Sequence, residues 1–134
     1  MTVEWNDEAF RERARQAAFR GVIKSAEAIR EEAIRLILDT PKSGRIYRRG
    51  NVFHQASAPG EPPASDTGSL VSRIEVKPVE EDVAAKVVAN TKYAAFLEFG
   101  TVKMEPRPFM RPALANMRDR IMGIMKAAMG SLIS

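Results

Sequence analysis

The sequence predicts an α+β fold, in which a small antiparallel sheet packs against a long N-terminal helix and a C-terminal helix. Apolar residues recur with helical spacing over about 6–39 and again over 112–132, and they alternate with polar residues across 69–90. A long Pro-rich loop precedes the sheet. At 134 residues, the chain is expected to form a single domain, 1–134, with a core that needs no disulfides.

The composition excludes several classes of protein. There is no cysteine, so disulfides and thiolate metal sites are absent. The first residues lack a basic start followed by an apolar run, and no stretch approaches the roughly 20 apolar residues of a membrane span, so we expect neither a signal peptide nor a membrane partner. The net charge of +4 permits contact with nucleic acid without requiring it.

The first helix is predicted over 6–39 from its start and its apolar stripe. Asn6 is expected to cap it, and Asp7 and Glu8 place negative charge where the helix dipole favours it. The residues of the stripe recur at steps of three, four and one: Phe19, Val22, Ile23, Ala26, Ile29, Ala33, Leu36 and Ile37. Pro41 ends the pattern.

Residues 42–68 are predicted to be a basic segment followed by a Pro-rich loop or arm. The segment KSGRIYRRGNVFHQ has no acidic residue and four basic ones, which are Lys42, Arg45, Arg48 and Arg49. Ile46-Tyr47 and Val52-Phe53 can pair there as a short hairpin. Residues 55–68, QASAPGEPPASDTG, contain no large apolar side chain, and their prolines favour an extended backbone.

Residues 69–90 are predicted to form a β-hairpin that turns at residues 78–82. Period-two alternation marks both strands: Leu70, Ile74 and Val76 in the first, and Val83, Ala85 and Val87 in the second. A short helix at 91–100 is expected to follow. Thr91 can cap it, and Gly100 can end it because glycine adopts left-handed geometry at little cost.

The last element is predicted to be a helix at 112–132, with an apolar stripe wider than one contact with a small sheet uses. Six of the seven methionines lie between Met104 and Met129, and methionine suits both irregular cores and adaptable partner surfaces. Phe109 and Met110 lie between prolines, which hold the backbone extended and prevent regular sheet pairing. This segment is either core around an awkward loop or a rigid apolar strip that docks on another subunit.

Catalytic motifs are missing. His54 is the only histidine, so a histidine metal site or a Ser-His-Asp triad would depend on that single residue. There is no phosphate-binding glycine motif and no nucleophile elbow. Glu98 and Glu105 flank the proline segment and suggest a paired-carboxylate hydrolase as one alternative, which the missing motifs argue against. We expect a protein that is not an enzyme and binds no cofactor.

Two segments resemble the tail-completion proteins of tailed phages, which are also called head–tail joining or neck proteins. The first is Ser57-Ala58-Pro59-Gly60-Glu61-Pro62-Pro63, followed by Thr67-Gly68 and Leu70. The second is Tyr93-Ala94, then Glu98-Phe99-Gly100-Thr101 and Pro108-Phe109-Met110-Arg111-Pro112-Ala113. Both segments occur in order in a chain of suitable length, which makes the resemblance specific.

The resemblance implies a non-enzymatic structural protein of the virion, present in the host cytoplasm before assembly. Such proteins form a ring between the head connector and the tail tube. The implied partners are copies of the chain itself, the head-completion or connector protein, and the tail-terminator or tail-tube protein. A tail-terminator or other minor tail subunit is an alternative within the same class, and a small sequence-independent DNA-binding protein is an alternative outside it.

In such a ring, we expect three groups of residues to make contacts. The subunit interface is predicted to consist of Phe109, Met110, Met117, Met122, Met125 and Met129. The axial partner is expected to contact the loop residues Pro59, Gly60, Pro62 and Pro63. The basic residues of the third group either belong to a solvated loop or line the channel and touch passing DNA transiently through its phosphates; they are Lys42, Arg45, Arg48 and Arg49.

Overall fold

A computed structural model describes residues 7–65, 68–130 and 132, and the side chains of these residues except Arg49 and Val52. Asn6, the predicted helix cap, lies outside the described residues. The helices are α1 (Asp7–Asp39), α2 (Ser69–Ser72), α3 (Ala94–Phe99) and α4 (Met110–Gly130). The strands are β1 (Ile46–Arg49), β2 (Val52–Gln55), β3 (Ile74–Val79) and β4 (Ala84–Ala89), with a 3₁₀ turn at Glu80–Asp82 between the last two. The predicted α+β class is confirmed.

The two long helices pack against each other, and the β3–β4 sheet packs on α1. At Gly21 of α1, an added Cβ would lie only 2.8 Å from the sulfur of Met125 and 3.0 Å from the Cβ of Ala128. The missing side chain therefore lets α1 and α4 approach closely. This contact accounts for part of the wide apolar stripe of α4, because Met125 faces α1.

The strands form two separate antiparallel hairpins, β1–β2 and β3–β4. In the larger one, Ile74 pairs with Ala89 and Val79 with Ala84. Its first strand begins at Ile74 and not at residue 69, because the chain forms one helical turn, α2, after Gly68. Gly68 has a φ of 76°, and Leu70 enters the core from this turn.

The core lies where the C-terminal half of α1 meets α2, β3, α3 and the start of α4. Its buried residues are Ala33, Leu36, Ile37, Leu70, Ile74, Ala94, Phe109 and Ala113. Phe109 is 1% exposed and is among the largest fully buried side chains of the described residues. Its predicted place at a subunit interface is therefore corrected: the phenyl ring packs inside its own chain.

The C-terminal helix begins at Met110, two residues before the predicted start. Pro112 lies within its first turn, where a backbone N–H has no partner inside the helix, so the proline removes no hydrogen bond. Pro108 and Pro112 therefore flank the start of this helix without interrupting its hydrogen bonds.

Candidate subunit interfaces

The carboxylate of Glu98, at the end of α3, caps the start of α4. Glu98 is 8% exposed. One oxygen accepts hydrogen bonds from the backbone N–H groups of Phe109 and Met110, at 3.0 and 2.8 Å, and the other from that of Arg111 at 3.2 Å. These are N–H groups that a helix start leaves without internal partners, and negative charge is favourable there. Glu98 therefore joins α3 to α4.

The chain between these helices is a tight turn that depends on Gly100. Gly100 has a φ of 79°, and an added Cβ would lie 2.8 Å from the carbonyl oxygen of Met104. The Thr101 N–H donates to that carbonyl at 2.7 Å, and the Arg107 N–H donates to the Leu97 carbonyl at 2.6 Å. The proline segment thus satisfies its backbone through local turns and Glu98, without sheet pairing.

The Pro-rich loop is folded back onto this turn, so residues 57–61 do not form the free arm that the sequence suggested. The Gly60 N–H donates to the Pro106 carbonyl at 2.9 Å, and the Arg107 Nε donates to the Ser57 carbonyl at 3.2 Å. Pro63 is buried, whereas Pro59 and Gly60 stay exposed at the loop tip. The two segments that carry the resemblance therefore contact each other.

Glu61 ties the same loop to the end of the first helix. Its carboxylate accepts hydrogen bonds from the Ala58 N–H at 2.9 Å, the Ser43 N–H at 3.0 Å and the Ser43 hydroxyl. The bond from Ala58, followed by those from Ser43, lowers the pKa of Glu61. The loop is thereby fixed at two places.

The basic segment is not uniformly available to a partner. The Nζ of Lys42 donates to the Leu36 carbonyl at 3.0 Å, and burial lowers the pKa of this lysine. Arg45 and Arg48 are exposed. Arg48 donates to the Gly50 carbonyl at 2.6 Å, which leaves other guanidinium N–H groups exposed. The DNA contact predicted for the segment stays a prediction, with Arg45 and Arg48 as its exposed members; the Arg49 side chain is not described.

One family matches the chain over residues 6–100: the HK97-gp10-like family, described as "Bacteriophage HK97-gp10, putative tail-component". This match covers most of the chain and both hairpins. The chain belongs to this family of phage tail components. Searches of the curated proteins and of the solved structures found no match.

This tail component exposes large apolar side chains on α1, where they are Phe10 and Leu38, and in three further parts of the described chain. On the β1–β2 hairpin, Ile46 is 62% and Phe53 is 72% exposed. On α3 and next to its two ends, the exposed side chains are Tyr93, Phe96, Phe99 and Val102. On α4, they are Leu114, Met122 and Met129. Such patches mark interaction surfaces when they are contiguous, and their number suits a subunit with several neighbours.

The described part of the tail component holds no group of three or more His, Asp or Glu side chains arranged for a metal ion, and none of its helices is long and apolar enough to cross a membrane. The main residue that sequence reasoning missed is Glu98 as a helix cap. Capping signals are read within one helix and its flanking residues, whereas here the carboxylate comes from the preceding helix. Thr91 does bond the Ala94 N–H at the start of α3, at 3.0 Å, as its position predicted.

Proposed function

We propose that this tail component is a head–tail joining protein, which forms a ring at the phage neck between the head connector and the tail tube. Family membership supports a structural role in the tail. The observation that supports the ring is the placement of the exposed apolar side chains in four different parts of one small chain. A ring closes through heterologous contacts, which require two different matching surfaces on each subunit, and axial neighbours require more.

Of the residues predicted for the subunit interface, we retain Met122 and Met129, which are exposed on α4, and add Leu114; these three residues are called the outer face of α4. Leu114, Met122 and Met129 are exposed and lie within about 80° of the helix circumference, an arc that borders the contact with α1 because it also contains Met125. Met122 is 55% exposed, whereas Met125 packs at Gly21 of α1. We therefore assign the contact with a neighbouring subunit to this outer face of α4. Pro59 and Gly60, exposed at the tip of the anchored loop, remain the proposed axial contact.

Glu98 supports a structural role over a hydrolytic one. Both of its oxygens already accept backbone N–H groups, and its side chain is almost fully buried. A general acid or base must reach a substrate proton within hydrogen-bonding distance, and this carboxylate points into its own helix start. The geometry favours an assembly subunit whose acidic residues stabilise its turns.

The test is to delete the gene from the phage or prophage that encodes the chain and to examine the lysate by electron microscopy. We expect filled heads and separate tails of normal length, and we expect purified protein added to the lysate to restore infectious particles. Tubes of uncontrolled length would instead indicate a tail terminator. Intact infectious particles in the deletion lysate would contradict the proposal.

A further inference from the structure

The β1–β2 hairpin presents an uncovered face of mixed apolar and basic character. Ile46 pairs with Gln55 and Arg48 with Phe53, so Ile46, Arg48 and Phe53 lie on one face because side chains alternate along a strand. This two-stranded sheet pairs with no other strand of the described chain. An isolated hairpin is marginally stable in water, and Ile46 and Phe53 are mostly exposed, so this face is suited to cover by a partner.

The charges of the chain are divided between two distant segments. Residues 40–60 contain four basic residues and no acidic one. The turn between β3 and β4 carries three consecutive carboxylates, Glu80, Glu81 and Asp82, all exposed. None of the three takes part in an ion pair among the described residues. Val79 and Val83 flank the turn and are half-buried, so apolar surface lies beside the charge.

These two segments lie at opposite ends of α1. The guanidinium of Arg15 donates to the carbonyl oxygen of Glu80 at 2.9 Å, which holds the acidic turn beside the N-terminal half of the helix. Lys42 contacts Leu36 near the other end. Twenty-one residues of helix separate Arg15 from Leu36, a span of about 30 Å. Even fully extended, the chain from Lys42 to Arg49 spans only about 25 Å, so the backbone of the hairpin does not reach the acidic turn of its own chain.

We propose that the β1–β2 hairpin of one copy docks on the β3–β4 turn of the next copy, with Arg48 facing Glu80–Asp82, the turn covering Ile46 and Phe53, and Arg45 adding positive charge to the same hairpin. Each segment repels a second copy of itself and attracts the other. Symmetric pairing through either segment is therefore disfavoured, and head-to-tail association, which generates rings, is favoured. The contact rests on the proposed function and adds a second contact between neighbours, beside the outer face of α4.

A charge-swap experiment tests this contact. The hairpin variant is Arg45→Glu/Arg48→Glu, and the turn variant is Glu81→Lys/Asp82→Lys, which leaves Glu80 beside Arg15. We expect each variant alone to associate about tenfold or more weakly than wild type, measured by light scattering or sedimentation over a concentration series at low salt. The two variants mixed in equal amounts should recover association, because each reversed segment then meets an oppositely charged neighbour.

Two control variants distinguish loss of this contact from unfolding of the chain and from an effect of net charge on association. Lys24→Glu/Lys92→Glu makes the same charge change at exposed positions outside both segments and should associate as wild type does. Phe53→Ser changes no charge at an exposed position and should weaken association without lowering the melting temperature. Circular dichroism of every variant shows whether it folds.

Three results would overturn the contact. The first is a hairpin variant, or Phe53→Ser if that variant does not fold, that associates as tightly as wild type. The second is a wild-type protein that stays monomeric at low salt at every soluble concentration. The third is unchanged association of the hairpin variant with lost retention on duplex DNA, which would assign the hairpin to DNA. All three leave the proposed neck function standing, because that depends on the deletion lysate.

Discussion

The junction between α3 and α4 depends on one carboxylate, so Glu98→Ala is the most informative single change for the fold. The substitution removes the acceptor of three N–H groups at the start of α4. The N–H of Phe109 belongs to a fully buried residue, so water replaces that hydrogen bond poorly. Arg111 is exposed, and water can reach its N–H more easily.

The expected loss follows from these contacts. A helix cap contributes about 0.5–2 kcal/mol, and a hydrogen bond to a charged group contributes about 1.5–3 kcal/mol. The three bonds share one carboxylate and are not additive, so we expect Glu98→Ala to lower the free energy of unfolding by about 3 kcal/mol. For a domain of this size, that corresponds to a fall of about 10 °C in melting temperature. Glu98→Gln keeps one oxygen acceptor and should lose about half as much.

The measurement is urea and thermal unfolding followed by circular dichroism. Glu105→Ala is the matched control, because it removes an exposed carboxylate from the same segment and should change the free energy of unfolding by less than about 0.5 kcal/mol. If Glu98→Ala melted within about 2 °C of wild type, the carboxylate would not be the link between α3 and α4, and the reasoning would be refuted.

Three further changes test other parts of the structure. Gly100→Ala should lower the free energy of unfolding in urea by about 2–3 kcal/mol, because the positive φ of Gly100 and its contact with Met104 leave no room for a Cβ. Gly123→Ala, with open space around it in α4, should instead raise the free energy of unfolding by up to about 1 kcal/mol. Equal effects of the two substitutions would contradict this. The hydrogen bonds from Ala58 and Ser43 hold the pKa of Glu61 below its ordinary 4.5, so its contribution to stability is present above about pH 4.5 and is lost as the pH falls through the lower folded-state pKa. Glu61→Gln should therefore melt below wild type at pH 7, with the gap closing in acid, and a gap independent of pH would exclude this role. Met122→Ser should leave the melting temperature nearly unchanged but reduce the mass in light scattering; unchanged association would remove the outer face of α4 from the interface.

Patterns among neighbouring residues are sufficient to predict several of the helices and strands. The stripe of α1 predicted a helix that the structure has at Asp7–Asp39, and the alternation after Ile74 marked a hairpin. Even the short β1–β2 pairing was visible, because two apolar pairs flank Gly50 and Asn51 at hairpin spacing. These patterns depend on neighbours along the chain.

The remaining features depend on distant parts of the chain. Leu70 and Val71 fit a strand by alternation, but the turn at Gly68 makes them part of a helix. Phe109 was assigned to an interface because its backbone could not join a sheet. The partner that satisfies this backbone is a side chain of the preceding helix, which no local pattern reveals. For the same reason, local patterns do not predict that the Pro-rich loop contacts Pro106 and Arg107.

The central claim is that copies of this chain form a ring at the head–tail junction. The most direct measurement is cryo-electron microscopy of intact particles of the phage that encodes it, with the neck resolved well enough to trace the chain. We expect a ring of this fold between connector and tail tube, with the β1–β2 hairpin of each copy beside the β3–β4 turn of the next. Finding this fold only at the tail tip or along the tube would contradict it.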